Sequence, residues 1–203
     1  MRRLFAPVLA ALLTVSLAGA SACNKSVRPS EPNQTVAFGD SLVVGIGTTS
    51  GNNFVSLLSQ RLGISIINAG RAGDTTGTAL SRLKDAVLDR NPVVVIVLVG
   101  GNDLLQNVPL QQRISNITSI ATQIRAEGAA VILVGLSTGN VIDPYEGALP
   151  GIASQTSSTL VPGILDGIFG DPNLMADAIH PNNAGHKIMA DRIEPALRAV
   201  LAR

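Results

Sequence analysis

The chain has 203 residues, of which 14% are charged and 46% hydrophobic, and its formal net charge is +1. Without a basic field, and with no Trp, one Tyr and four Phe, it has neither the electrostatics nor the stacking surfaces of a nucleic-acid-binding protein. A substrate pocket in this chain must therefore be walled mainly by aliphatic side chains and backbone, which suits an apolar acyl group.

The first 22 residues have the pattern of an export signal. Arg2 and Arg3 precede a run without charge that extends to Ala22, as in secretory signal peptides. Pro7 and Gly19 interrupt the apolar stretch, so it is a poor membrane span. Removing the two arginines takes the net charge from +1 to −1. We predict a signal peptide in residues 1–22 and a protein exported to the periplasm or beyond.

Cys23 is the only cysteine and follows this segment directly. A lone cysteine in an exported chain has no partner for an internal disulfide, so either lipidation or an unpaired thiol accounts for it. Residues 24–34 are rich in Ser, Pro, Asn and charge, which is typical of a linker. We therefore predict a tether in residues 23–34, attached to a membrane if Cys23 is lipidated, and a single domain in residues 35–203.

Within this domain, short aliphatic runs alternate with longer amphipathic segments. The run from Val93 to Val99 is uninterrupted and mostly β-branched, as expected for a strand buried on both faces of a parallel sheet. We predict strands in residues 35–39, 63–68, 93–99, 130–135 and, interrupted by Pro162, 160–164.

Helical spacing of Leu, Ile and Val occurs between these runs, and a final helix is predicted from Asn183 to Leu201. Alternating strands and helices indicate right-handed crossovers and a parallel sheet covered on both faces. The predicted fold is a three-layer α/β domain with about five strands. Ligands of such sheets bind beyond the carboxyl ends of the strands.

The first three strand exits carry small and polar residues. Ser41 follows the first strand, Gly73 lies in the cluster after the second, and Asn102 follows the third. Because parallel strands end at one edge, we expect these three residues to converge there. A serine at this edge can attack a carbonyl carbon if a base removes its proton.

Two histidines could supply that base at neutral pH. His180 lies three residues after Asp177, and this carboxylate can curl back to hold the imidazole Nδ1–H, which directs Nε2 toward Ser41. His186 is expected inside the last helix, with a role in packing or at the surface. We predict Ser41, His180 and Asp177 as catalytic residues.

Stabilising the developing oxyanion requires hydrogen-bond donors, each contributing about 3–4 kcal/mol. We expect the backbone N–H groups of Ser41 and Gly73 and the side-chain amide of Asn102 to supply them. This chemistry requires no metal and no cofactor. In the alternative interpretation, Ser41 only caps the following helix.

Other polar residues of the strand exits have simpler structural interpretations. Asp40 and Asp103 are expected to hydrogen-bond loop amides. Asp74 and Thr75 are expected to cap the second helix.

Four motifs in order resemble those of the SGNH, or GDSL, hydrolase superfamily: Gly39-Asp40-Ser41-Leu42, Gly73, Gly100-Gly101-Asn102-Asp103 and Asp177-Ala178-Ile179-His180-Pro181. The stretch around Gly73 is similar to the bacterial arylesterase and thioesterase/lysophospholipase branch. The resemblance covers residues 35–203. It implies a flavodoxin-like sheet and hydrolysis of carboxylic esters or thioesters through an acyl-enzyme.

The segment 136–159 departs from this resemblance. It is rich in Gly, Ser and Thr, whereas members of the superfamily carry an aromatic-containing loop and helix there. We expect this segment to border an acyl pocket that is either wide or dependent on loop ordering. Two further hypotheses remain open: an acyltransferase that uses the same acyl-serine, and a non-catalytic binding lipoprotein.

Overall fold

The computed structural model describes Met1, residues 34–137 and residues 143–202. Apart from Met1, the predicted signal peptide and residues 23–33 of the predicted linker, which include Cys23, lie outside the described residues. The predicted end of the linker was wrong by one residue, because Gln34 is the first residue of a strand. Within the described part of the chain, no helix is both long enough and apolar enough to cross a membrane.

The strands are β1 (Gln34–Gly39), β2 (Ile66–Gly70), β3 (Pro92–Leu98), β4 (Ala130–Val134) and β5 (Thr159–Val161). They form one parallel sheet in the order β2-β1-β3-β4-β5. The predicted three-layer α/β fold with about five strands is confirmed. β1 and β3 are adjacent at the centre of the sheet, so the residues that follow them meet at its carboxyl edge.

The helices are α1 (Ser41–Val44), α2 (Phe54–Leu62), α3 (Thr76–Ala86), α4 (Gly101–Leu105), α5 (Leu110–Ala126), α6 (Pro144–Gln155) and α7 (Asn183–Leu201), with a 3₁₀ turn at Leu88–Arg90. Asparagines begin two of the long helices: Asn53 accepts a hydrogen bond from the N–H of Ser56, and Asn182 accepts those of Ala184 and Gly185. These caps satisfy N–H groups that have no partner within the helix.

The core lies on both faces of the sheet. Val94 and Ile96 of β3 pack with α2 and α7 on one face, while Val95 and Val97 pack with α3, α5 and α6 on the other. This alternation explains why the sequence of β3 is apolar at every position. Helices packed on both faces leave the carboxyl edge of the sheet as the open side of the central strands.

Two of the predicted strand boundaries were wrong. Gly63 ends α2 in a left-handed conformation, with φ of 64°, so β2 begins only at Ile66, where its pairing with Thr35 of β1 starts. β5 ends at Val161 rather than at residue 164, since Pro162 has no N–H to continue a ladder.

The expected departure of residues 136–159 from the resemblance was wrong, because this segment does contain a helix and a buried aromatic ring. The expectation that it borders the pocket is confirmed, since Leu136 and Glu146 line the cavity beside Ser41. Asp143 caps α6 by accepting the N–H of Tyr145, and Pro144 occupies the first turn, where a missing N–H carries no penalty. Tyr145 and Leu149 are buried against the sheet. Gly147, Gly151 and Ser154 therefore lie on a helix that is anchored by a few apolar side chains.

Candidate active site

Ser41 lies at the end of β1 and begins α1. The exit is tight: a Cβ atom on Gly39 would lie 1.8 Å from the carbonyl oxygen of Leu98, so only glycine fits here. Asp40 caps α1, with its Oδ1 accepting the N–H of Leu42 at 3.0 Å. The interpretation of Ser41 as the helix cap is therefore wrong, and its hydroxyl is not used to begin the helix.

His180 approaches Ser41 from the far end of the chain. Its Nε2 lies 3.0 Å from Ser41 Oγ, and its Nδ1 lies 2.8 Å from Asp177 Oδ2. With Nδ1–H donating to the carboxylate, the lone pair on Nε2 faces the serine hydroxyl. The three predicted residues are thus joined by two hydrogen bonds.

Asp177 is held by its own loop. Its Oδ1 accepts the N–H of Ile179 at 2.9 Å and that of His180 at 2.8 Å. The bond from the Ile179 N–H, followed by those from the side chain and backbone of His180, lowers the pKa of Asp177 to about 2. The carboxylate is therefore ionised at neutral pH, which the 51% exposure of its side chain also favours. A bond from the N–H of Ala176 to the carbonyl of His180 closes the loop at 2.8 Å.

The segment after α1 packs against the loop that carries Asp177 and His180. A Cβ atom on Gly47 would lie 2.5 Å from the carbonyl oxygen of Pro181, so the two segments are in direct backbone contact. His186 is fully buried nearby; its ring stacks on Phe54, and its Nδ1 accepts the Phe54 N–H at 3.3 Å. Burial lowers the pKa of His186 to about 4. The packing role expected for His186 is confirmed.

The three expected oxyanion donors differ in their position relative to the cavity that contains Ser41. Asn102, in α4, lines the same cavity as Ser41 and His180, and one hydrogen of its amide is donated to the Asp74 carbonyl at 2.9 Å. Gly73 is not among the residues that line this cavity; it lies in the turn just before Asp74, with φ of 82°. Among the described residues, neither the Ser41 N–H nor the Gly73 N–H has an acceptor.

Two buried carboxylates next to the site have the structural roles expected of them. Asp40 caps α1, and burial raises its pKa to about 7. Asp103 is fully buried and accepts the N–H and the hydroxyl of Thr76 at 2.8 and 2.6 Å. Asp103 thereby ties α4 to α3.

The expectation for Asp74 was wrong in part. Of the two residues, only Thr75 caps α3, accepting the N–H of Thr78 at 3.2 Å. Asp74 instead forms ion pairs with Arg71 and Arg82 at 2.7 and 2.6 Å. A carboxylate paired with two arginines is fully engaged by its side-chain partners and is not available to the helix N-terminus.

The cavity beside Ser41 has a volume of about 150 Å³. Its walls are mainly apolar, and three of the lining side chains, Leu104, Leu105 and Ile179, are between 43% and 61% exposed. These three residues were not predicted from the sequence. A signal was available, because Leu104 and Leu105 directly follow the polar motif at the exit of β3, and Ile179 lies between Asp177 and His180. The remaining apolar walls come from Leu42, Leu136, Leu165 and Phe169.

Serine hydrolases on α/β sheets use this arrangement: a serine at a strand end is hydrogen-bonded to a histidine, which is hydrogen-bonded in turn to a carboxylate. The comparisons with known proteins specify this class further. The model of the GDSL-like Lipase/Acylhydrolase family matches residues 37–188. The chain belongs to this family.

Individual relatives agree with the family assignment. Esterase TesA of Pseudomonas aeruginosa is 31% identical over 177 residues, covering 82% of this chain and 88% of that protein. Thioesterase 1/protease 1/lysophospholipase L1 of Escherichia coli strain K12 is 25% identical over 182 residues, covering 86% of this chain and 88% of that protein. The crystal structure of TesA superposes with a TM-score of 0.77, at 30% identity, over 83% of this chain and 99% of that chain. The protein is an ester- or thioester-hydrolysing enzyme of the GDSL type.

Proposed function

We propose that Ser41 is the nucleophile of this hydrolase, that His180 is its general base and acid, and that Asp177 orients and stabilises the imidazole. The supporting observation is the continuous pair of hydrogen bonds, 3.0 Å from Ser41 to His180 and 2.8 Å from His180 to Asp177. The low pKa of Asp177, about 2, supplies a fixed negative charge beside the imidazolium that forms during the reaction.

The reaction proceeds in two halves. In the first, His180 Nε2 takes the proton of Ser41 as Oγ attacks the carbonyl carbon of the substrate; the bond to the alcohol or thiol then breaks, and the leaving group receives the proton from His180. The product is an acyl-serine. In the second half, His180 takes a proton from water, the hydroxide attacks the acyl carbon, and the bond to Oγ breaks as Ser41 regains its proton.

The negative charge on the carbonyl oxygen requires donors in both halves. We assign the N–H groups of Ser41 and Gly73 and the second amide hydrogen of Asn102 to this task. Two facts support the assignment. The two N–H groups have no acceptor within the described chain, and the first hydrogen of the Asn102 amide is fixed by the Asp74 carbonyl, which orients the second.

The substrate class follows from the cavity and its rim. A volume of about 150 Å³ is below the roughly 300–1,000 Å³ of pockets that enclose drug-sized ligands, so only a short acyl segment fits inside. A longer chain must continue over the exposed side chains of Leu104, Leu105 and Ile179. We therefore assign amphiphilic acyl esters and thioesters as substrates, with the acyl chain on the apolar rim and the head group in solvent.

We also propose that the enzyme works outside the cytoplasm. The support is the sequence of residues 1–22, with two arginines before an uncharged apolar run. Mass analysis of the N-terminus of the protein purified from membranes and from the soluble fraction tests this. A terminus at Cys23 with an added diacylglyceryl mass supports membrane attachment; an unmodified terminus within residues 21–24 supports release; an uncleaved Met1 contradicts export.

The test of the catalytic assignment is the variant Ser41→Ala, assayed with an acyl-chain series of p-nitrophenyl esters and matched thioesters. We expect a loss of several orders of magnitude in kcat with an unchanged circular dichroism spectrum. Ser154→Ala, a serine exposed on α6, is the control and should keep full activity. Retained turnover by Ser41→Ala would rule out the serine mechanism. Product analysis with added alcohols separates hydrolysis from acyl transfer.

A further inference from the structure

Arg82, on α3, reaches back from the outer helix layer to the strand exits that carry the site. Its three nitrogens all donate: Nε to Asp74 Oδ2 at 2.6 Å, and the terminal nitrogens to the carbonyls of Ala69 and Gly39, both at 3.0 Å. The guanidinium carbon lies 4.5 Å from the ring centroid of Phe38, which is fully buried in β1. The planar guanidinium is thus fixed on one face by the ring and at its edges by three acceptors.

Each acceptor is close in sequence to an expected oxyanion donor. Gly39 is two residues before Ser41, and Asp74 directly follows Gly73. The carbonyl of Asp74 also accepts the Asn102 amide at 2.9 Å. One guanidinium therefore connects the exits of β1 and β2 directly and that of β3 through Asp74.

We propose that Arg82 is a positioning residue that sets the relative placement of the oxyanion donors. It holds the Gly39–Asp40 peptide, which is one peptide before the Ser41 N–H, by the Gly39 carbonyl, and it holds the turn that carries Gly73 by the Asp74 carboxylate. This inference rests on the proposed function, because it concerns the same three donors. Arg82 does not line the cavity, so it acts through these peptides and not on the substrate.

The Asp74 carboxylate is the partner through which Arg82 holds the turn that carries Gly73. Its side chain is 2% exposed and receives Arg71 and the hydroxyl of Thr78 on the other oxygen, at 2.7 and 3.0 Å. The Arg71 side chain is 53% exposed and, among the described residues, hydrogen-bonds only to this carboxylate. Arg71 also connects this carboxylate to the Gly39 carbonyl, but it does so through its backbone N–H, at 2.9 Å, which a side-chain substitution keeps. Arg82 makes both connections with its side chain, so the positioning effect is assigned to the Arg82 side chain.

The test compares Arg82→Met with Arg192→Met. Arg192 also donates to three backbone carbonyls, those of Gly163, Ile164 and Asp166, at 2.6–3.0 Å, but it lies on α7, away from the oxyanion donors. Both variants lose a similar set of hydrogen bonds, so both are expected to lower Tm. Only Arg82→Met is expected to lower kcat for ester hydrolysis, by roughly 10- to 100-fold, with KM within about twofold.

A second measurement separates positioning from general damage to the fold. An alkylboronic acid adds to the serine and places a charged oxygen where the oxyanion forms, so its affinity reports the donors directly. In Arg82→Met its inhibition constant should rise by about the same factor by which kcat/KM falls. Arg192→Met should leave this constant unchanged. Arg192 binds the carbonyls of the two neighbours of Leu165, which lines the cavity, so a shift of Leu165 in this variant would change KM alone.

Arg82→Lys keeps the inference testable if the methionine variant does not fold. A lysine ammonium reaches Asp74 or a carbonyl but cannot serve all three acceptors at once, so kcat should lie between wild type and Arg82→Met. Wild-type kcat and boronate affinity in a folded Arg82 variant with lowered Tm would overturn the positioning role. If Ser41→Ala were also active, the proposed function itself would fail; an inactive Ser41→Ala with full activity in Arg82→Met refutes only this inference.

Discussion

Replacing His186 with glutamine should make the protein more resistant to acid. Glutamine keeps an acceptor for the Phe54 N–H but has no proton to gain. In the folded state burial lowers the pKa of His186 from 6.5 to about 4, so between these values the unfolded chain binds a proton that the folded chain does not. The free energy of unfolding of the wild type therefore falls as the pH falls from about 6.5 to about 4.

The size of this effect follows from the pKa difference. One pKa unit corresponds to about 1.4 kcal/mol, so the contribution lost between pH 6.5 and pH 4 is about 3 kcal/mol. For a domain of this size that corresponds to roughly 6–12 °C in Tm. The side chain is fully buried, so solvent does not screen the effect.

Urea unfolding of both proteins at several pH values between 4 and 7 provides the measurement. The difference in stability between His186→Gln and wild type should move in favour of the variant as the pH falls. Lys187→Gln changes the exposed neighbouring residue and should leave the pH dependence as it is in wild type. Parallel curves for His186→Gln and wild type would refute the reasoning.

Three further changes test other parts of the structure. Asn102→Ala removes one oxyanion donor and should lower kcat roughly 100- to 1,000-fold with folding intact; steady-state kinetics that differ from wild type by less than threefold would contradict its role. Asp40→Asn keeps a cap acceptor but removes a carboxyl whose folded pKa, about 7, lies above its ordinary value of 3.8. Stability from this group is full below pH 3.8 and is lost as the pH rises toward 7, so the variant should gain a few kcal/mol over wild type above pH 7 in urea unfolding. An unchanged difference across that range would refute this. Leu105→Ser, on the apolar rim and 61% exposed, should weaken turnover of long-chain esters, whereas Leu201→Ser, 40% exposed at the far end of α7, should not; equal effects on a chain-length series would exclude a role for the rim.

Much of the site could be predicted because the parallel sheet brings the residues that follow its strands to one edge. The run from Val93 to Val99 specified a strand buried on both faces, and the residues directly after such strands must meet at one edge of a parallel sheet. The contact between Ser41 and His180, 139 positions apart, followed from that topology together with the spacing of Asp177. The local carboxylate–imidazole pair needs only three residues of loop.

The features that the sequence did not reveal depend on long-range partners. The start of β2 is determined by its pairing with Thr35 and not by its own apolar residues. The role of Asp74 is determined by Arg82, eight residues later in the chain. Nothing in the sequence distinguishes Arg82 from the other polar residues of α3. The helix in residues 144–155 is stabilised by packing of Tyr145 and Leu149 on the sheet, which overrides the weak helix propensity of its glycines and serine.

The assignment of Ser41 as the nucleophile activated by His180 can be tested by mass-spectrometric mapping after reaction with a fluorophosphonate. We expect one adduct per chain on the peptide that contains Ser41, loss of esterase activity in proportion to labelling, and no adduct on this peptide in His180→Ala. An adduct on another serine, or full ester turnover by enzyme completely labelled at Ser41, would contradict it.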